Sequence, residues 1–142
     1  MEGEKGKGKK GKGESSSARR FRPAHYELEA WKTAMRLVGA IYRLTASFPV
    51  SEQFGLTAQM RRAAISAPSN IAEGAARAGN AEMARYCTVA RASLMELDTQ
   101  LWLSQDLGMC ADTTELRKQT HECIALINGL IRHRQAKINK PA

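Results

Sequence analysis

Three histidines, three cysteines and a row of arginines are the residues of this 142-residue chain whose types could carry chemistry. His25, His121 and His133 share no metal-ligand spacing, and His121 and Cys123, two apart, fall on different faces of a helix. Arg117 and His121 stand four apart, which superficially suggests the Arg and His pair of some helical ribonucleases. That pattern has a longer spacing and a polar residue after the arginine, so the pair reads as an exposed helical pair. No Ser or Cys has an evident base beside it. Glu73 has no partner carboxylate close in sequence. The glycines follow no strand, so they form no phosphate-cradling loop. These residues predict no enzyme, no metal, no cofactor and no small-molecule substrate.

Residues 56–77, LTAQMRRAAISAPSNIAEGAAR, are the most constrained stretch. Read as a helix, they form three stripes. Met60, Ala64, Ala67, Ile71, Gly74 and Ala78 make a small apolar stripe that a neighbouring helix can approach closely. Gln59, Arg62, Ser66, Asn70, Glu73 and Arg77 make a polar stripe. It is either a solvated face or a network between helices or subunits, with arginines at its ends available to phosphate. Arg61, Ile65, Pro68 and Ala72 make the third. Glu73 and Arg77 are spaced for a helical ion pair in the favourable order. Pro68 lacks an N–H and crowds the carbonyl of Ala64, so it either kinks one helix or separates two. Ser69 and Asn70 stand ready to satisfy freed backbone groups or to cap a restarted helix.

Three further helices position this stretch. The first is expected over 26–47, ended by Pro49, with two apolar stripes. Ala30, Ala34, Leu37, Ile41, Leu44 and Phe48 form one; Leu28, Trp31, Met35, Val38 and Tyr42 form the other. So wide an apolar face exceeds what one bundle core requires, and a second copy of the chain is the simplest partner. The second helix is expected over 53–77. Gly79 closes it and Asn80 caps a third helix over 81–107, whose ladder is Met83, Cys87, Ala90, Leu94, Leu97 and Leu101. Tyr86 and Trp102 lie off that ladder and reach a neighbouring helix or subunit. Arg85 and Arg91 face phosphate or solvent. After Gly108, Asp112 and Glu115 read as a capping box for a fourth helix over 113–137. Its ladder runs through Leu116, Thr120, Cys123 or Ile124, Ile127, Leu130 or Ile131, and Ile138, and its end is basic: Arg132, His133, Arg134, Lys137 and Lys140. Those cations suit the negative end of the helix dipole, or form an RNA-facing patch. Four long helices with short connections predict an all-α, up-down-up-down four-helix bundle over 23–142.

Lys and Arg number 22 against 14 acidic residues, a formal charge of +8. That balance favours polyanions. Residues 1–22, rich in Gly and Lys, hold eight basic and three acidic side chains. They read as a disordered basic tail, either a phosphate-binding arm or a solubilising extension. Three cysteines without a C-x-x-C pair, Cys87, Cys110 and Cys123, fit free thiols in a reducing compartment. No apolar run approaches a membrane span and no apolar segment follows the N-terminal lysines. The cytoplasm is the expected location, with no membrane partner.

The chain resembles the bacterial four helix bundle proteins encoded in intervening sequences of 23S ribosomal RNA genes. The residues that carry the resemblance are Leu28, Trp31 and Ala34; Ile41, Tyr42, Leu44, Thr45, Phe48 and Pro49; and Gln59, Arg61, Arg62, Ala63, Ser66, Asn70, Ile71, Ala72, Glu73 and Gly74. It continues through Arg77, Glu82, Ala90, Ser93, Leu94, Glu96 and Leu97. Proteins of this kind form up-and-down bundles that assemble into rings, commonly pentamers. A distant branch serves retroelement reverse transcriptases and uses a basic surface for nucleic acid. The resemblance implies a homo-oligomer associated with ribosomal RNA. Combined with the charge pattern, it makes a structured-RNA binder the leading expectation, with Arg61, Arg62, Arg77, Arg85 and Arg134 as contact residues. Gln59, Ser66, Pro68, Asn70, Glu73 and Gly74 form the structural motif. The alternative is an oligomeric scaffold or adaptor for a protein partner.

Overall fold

Proline and glycine set the joints of the chain. A computed structural model describes residues 21–141; the expectation for the tail lies, except at Phe21 and Arg22, outside the described residues. Pro23 opens a 3-10 turn, Ala24–Glu27, and α1 follows over Glu29–Thr45. Pro49 opens a second 3-10 turn, Val50–Glu52, and α2 runs over Leu56–Ala76. Then come α3, Asn80–Asp106, and α4, Thr114–Ile138. Gly108 (φ +77°) takes the left-handed conformation just after α3, as expected, whereas α2 ends before Gly79: its C-cap Arg77 is already extended (φ −85°, ψ 154°), and Gly79 (φ +100°) is instead the N-cap of α3. Among the described residues there is no strand, and no helix is long and apolar enough to cross a membrane.

The helix starts differ from the sequence expectations for identifiable reasons. Before α1, Leu28 is extended (φ −81°, ψ 124°), so the expected helix at 26 is instead a turn closed by Tyr26 N–H to Pro23 O at 3.1 Å. His25 and Tyr26 pack on Trp31, with ring centroids 5.0 and 5.3 Å apart, folding that turn against α1. Before α2, Glu52 Oε1 accepts the Leu56 N–H at 3.0 Å, an anionic cap suited to the positive end of the helix. Asn80 is the first residue of α3 rather than its cap, and its side-chain oxygen accepts from Arg134. The capping box at Asp112 and Glu115 becomes a shorter bracket: Asp112 Oδ1 accepts both the N–H and the hydroxyl of Thr114, at 3.0 and 2.7 Å. Thr113 turns inward and donates twice to Gln105 Oε1, at 2.9 Å each time.

Pro68 does not divide α2. It lies buried inside one helix from Leu56 to Ala76. Two residues on, Asn70 Nδ2 donates to the Ser66 carbonyl at 2.8 Å and to its hydroxyl at 3.0 Å. The Ser66 hydroxyl also meets Ser93 Oγ of α3 at 2.8 Å. The middle of the polar stripe is therefore an interhelical clasp, while Gln59, Arg62, Glu73 and Arg77 at its flanks are exposed.

Four apolar ladders meet in the core. Leu37 and Ile41, Met60 and Ile71, Met83 through Leu101, and Cys123 with Ile127 are almost fully excluded from solvent. Each such large side chain contributes about 1.5–3 kcal/mol of transfer free energy. Helix α1 packs on α2 and α4, and α3 packs on the same two, so α1 and α3 lie on the diagonal of an up-down-up-down bundle. The α2–α3 seam is the most extensive, and small residues let it close. The second apolar stripe of α1 is divided: half-buried Leu28, Trp31 and Val38 pack against the edge of this core, while Met35 and Tyr42 are exposed.

Candidate nucleic-acid interface

One end of the bundle collects positive charge. The C-terminus of α2, the N-terminus of α3 and the C-terminus of α4 meet there, and the turn Ala24–Glu27 packs on α2 beside them. Residues 22–32, 73–85 and 132–140 carry eight Lys or Arg against four Glu. At the opposite end, residues 43–62 and 103–118 carry five against four. The polarity is set by which termini the topology brings together.

Three of the five expected contact residues meet at the basic end. Arg77 and Arg85 both hold their guanidinium groups on the ring of Tyr86, 5.4 and 4.4 Å from its centroid. Each is also paired on its own helix, Arg77 with Glu73 at 3.2 Å and Arg85 with both oxygens of Glu82 at 3.0 and 3.2 Å. The hydrogen bond from Arg85 holds the Glu82 carboxyl below its ordinary pKa. Arg134 is half-buried; its Nη1 donates to Asn80 Oδ1 at 3.4 Å, and its Nε is buried without a protein partner. Exposed Arg132, Lys137 and Lys140 extend the patch along the last turns of α4.

Arg61 and Arg62 lie elsewhere. Fifteen residues of α2 separate Arg62 from Arg77, which places them about 22 Å apart along the axis. Arg61 braces α1 to α2: its Nε donates to Thr45 Oγ1 at 2.8 Å and its guanidinium lies 4.4 Å from the Tyr42 ring. Arg62 is exposed and makes no ion pair among the described residues. Arg91, half-buried, ties α3 to α4 through Asn128 Oδ1 at 2.8 Å.

Several of the remaining reactive residue types make contacts between helices or lie in the core, while His133 is exposed. Arg117 lies 3.7 Å from the Trp102 ring centroid and His121 Nε2 sits 2.7 Å from Asp98 Oδ1, so both reach across from α4 to α3. Burial pushes the Cys87 thiol up to about 11 and the Cys123 thiol up to about 12, as expected of core thiols. Tyr86 is the residue whose role was least visible in the sequence. Its signal is its position next to Arg85 and across the close seam from Gly74, where an added Cβ would meet Tyr86 Cβ at 2.9 Å.

The sequence model of the family described as 23S rRNA-intervening sequence protein matches residues 26–129. No curated protein matches the chain. The matched span contains Arg77, Arg85, Tyr86 and the whole motif from Gln59 to Gly74, while Arg134 and the basic end of α4 follow it. With a match over most of its length and the four-helix architecture above, the chain belongs to the 23S rRNA-intervening sequence protein family.

Proposed function

We propose that this protein is a non-enzymatic, homo-oligomeric bundle of the cytoplasm that binds structured RNA, 23S ribosomal RNA or its precursor, through its basic end. The observation that carries this reading is the meeting of Arg77, Arg85 and Arg134 with the cationic last turns of α4 at one pole of the fold. Arginine presents a planar fork of donors that matches phosphate. The carboxylates now holding Arg77 and Arg85 are no obstacle, because exposed ion pairs are worth about 0–1 kcal/mol and a phosphate replaces them at small cost. The Tyr86 ring keeps both guanidinium groups in place during that exchange. The family name supports ribosomal RNA as the polyanion.

Self-association rests on the uncovered stripe of α1, where Met35 is 47% exposed and Tyr42 39%. Five subunits is the number that the family resemblance implies. The test is RNA binding by a chain with Arg77, Arg85 and Arg134 changed to Ala, compared with Arg62→Ala. The triple change should remove most affinity at unaltered helicity, and the single change little. Equal losses would move the site away from the basic end. If nuclease-treated preparations retain a stoichiometric protein instead of RNA, the bundle is an adaptor.

A further inference from the structure

We propose that the ring cluster of the turn Ala24–Glu27 is a stacking platform for an unpaired base, so that the RNA held at the basic end is read at a loop or single-stranded segment rather than along a duplex. The proposal rests on the RNA-binding reading above and names the part of the RNA that is recognised. Tyr26 stacks on Trp31, with ring centroids 5.3 Å and planes 26° apart, and His25 meets the two rings edge-on at 4.9 and 5.0 Å. Tyr26 is 39% exposed, and the Arg22 guanidinium lies 5.5 Å from its ring centroid.

The bundle does not need this arrangement for its core. No residue of the turn is buried, and Trp31 already packs on the core edge without help from Tyr26. Other exposed rings stand singly beside an arginine, Tyr42 with Arg61 and Trp102 with Arg117. Among the described residues, ring stacks on ring only at this turn. Every base has a π face, so an aromatic surface accepts any base that has left its duplex. A paired base is already stacked on its neighbours and offers no free face. Clustered rings also take cations, but these rings pack on one another and leave no cage, and Arg22 already holds the exposed one.

Position ties the rings to the phosphate-binding arginines. The turn precedes α1 at the pole where α2 ends, α3 begins and α4 ends, and it packs on α2. Trp31 and Ala72 line one hollow, and Ala76 ends α2 four residues later, about 6 Å along the axis and next to Arg77. A strand whose phosphates lie on Arg77 and Arg85 thus has the rings within reach of a neighbouring nucleotide. The two acidic residues beside the rings are already paired, Glu27 with Arg22 at 3.2 Å and Glu29 with Lys32 at 3.7 Å. These exposed pairs yield to phosphate at small cost, and the released Arg22 guanidinium is itself a planar surface for a base.

Two RNAs test the platform on the whole chain: a ribosomal RNA stem-loop with 2-aminopurine in its loop, and the same stem as a closed duplex. The wild type should bind the stem-loop more tightly than the duplex and quench the loop fluorophore. Tyr26→Phe keeps the ring and should behave as the wild type. Tyr26→Leu keeps an apolar side chain against Trp31 but no π face. It should lose about 5- to 150-fold in affinity for the stem-loop, the range of one base stack, with no quenching and little change on the duplex. Tyr26→Ala should do the same, and since the turn has no buried residue both variants should keep their helicity. If neither RNA binds the wild type, the RNA-binding reading fails and the platform with it. If both RNAs bind but Tyr26→Leu and Tyr26→Ala leave stem-loop affinity and quenching unchanged, RNA binding stands and the platform is overturned. Equal losses on stem-loop and duplex overturn it as well, because a base stack cannot act on a closed duplex.

Discussion

A methyl group on Gly74 would stand 2.9 Å from Tyr86 Cβ and 3.3 Å from Met83 Cα, closer than packed side chains tolerate. The glycine of the asparagine-to-glycine run thus sets the distance between α2 and α3 at the point where Tyr86 holds Arg77 and Arg85. Alanine would gain up to about 1 kcal/mol of helix propensity, whereas overpacking a rigid seam costs about 1–3 kcal/mol. The seam should win. Gly74→Ala should lower the melting temperature by several degrees and weaken RNA binding together with it. A melting temperature at or above that of the wild type would show that the seam opens freely.

Neighbouring arginines should behave differently. Arg61 is half-buried and joins Thr45 and Tyr42 of α1, whereas Arg62 is exposed and unpaired among the described residues. Arg61→Ala should cost about 1.5–3 kcal/mol of stability, in line with loss of a part-buried hydrogen bond to a charged group. Arg62→Ala should stay within about 0.5 kcal/mol of the wild type. Urea unfolding followed by circular dichroism measures both.

Acid should loosen the starts of α3 and α4. Hydrogen bonds from Arg85 hold the Glu82 carboxyl below its ordinary pKa, and those from Thr114 do the same for Asp112. A carboxyl lowered in the folded state contributes stability that is present above its unfolded pKa. That contribution disappears as pH falls through the lower folded value. Asp112→Ala should therefore lower the urea midpoint at about pH 7, and the gap to the wild type should shrink as pH falls through the lowered pKa of the folded Asp112 carboxyl. A gap independent of pH would mean that Asp112 acts through packing alone.

The architecture was legible because its signals are local and repeated. Gly108 follows the end of α3 as expected, and the ladders of Met83 through Leu101 and of Thr120 through Ile127 are buried as their spacing requires. Helix starts were less legible. Leu28 is extended where a 3-10 turn packs the rings of His25 and Tyr26 back onto Trp31 of α1, and no proline or glycine marks that position. Asn80 and Asp112 are ordinary capping residues in sequence, but a tertiary partner takes the first and a shorter bracket the second. The same limit applies to the site. The Glu73–Arg77 pair can be read from a spacing of four, whereas the tie from Arg91 to Asn128 cannot. The five arginines share a charge and a helical setting, and only the topology separates Arg61 and Arg62 from Arg77, Arg85 and Arg134.

The central claim is that the folded bundle, rather than the lysine-rich tail, reads RNA. Fluorescence anisotropy of a labelled 23S ribosomal RNA fragment tests it most directly, with the whole chain and a chain starting at Pro23 compared across a salt series. The account predicts that the shortened chain still binds and prefers this fragment over an unrelated RNA. Its salt slope should be shallower by the tail's phosphate contacts. Changing Arg77, Arg85 and Arg134 to Ala should then reduce the remaining slope by about 3. Loss of binding with the tail, or binding without preference on a steep slope, would contradict the account and leave only a generic polycation.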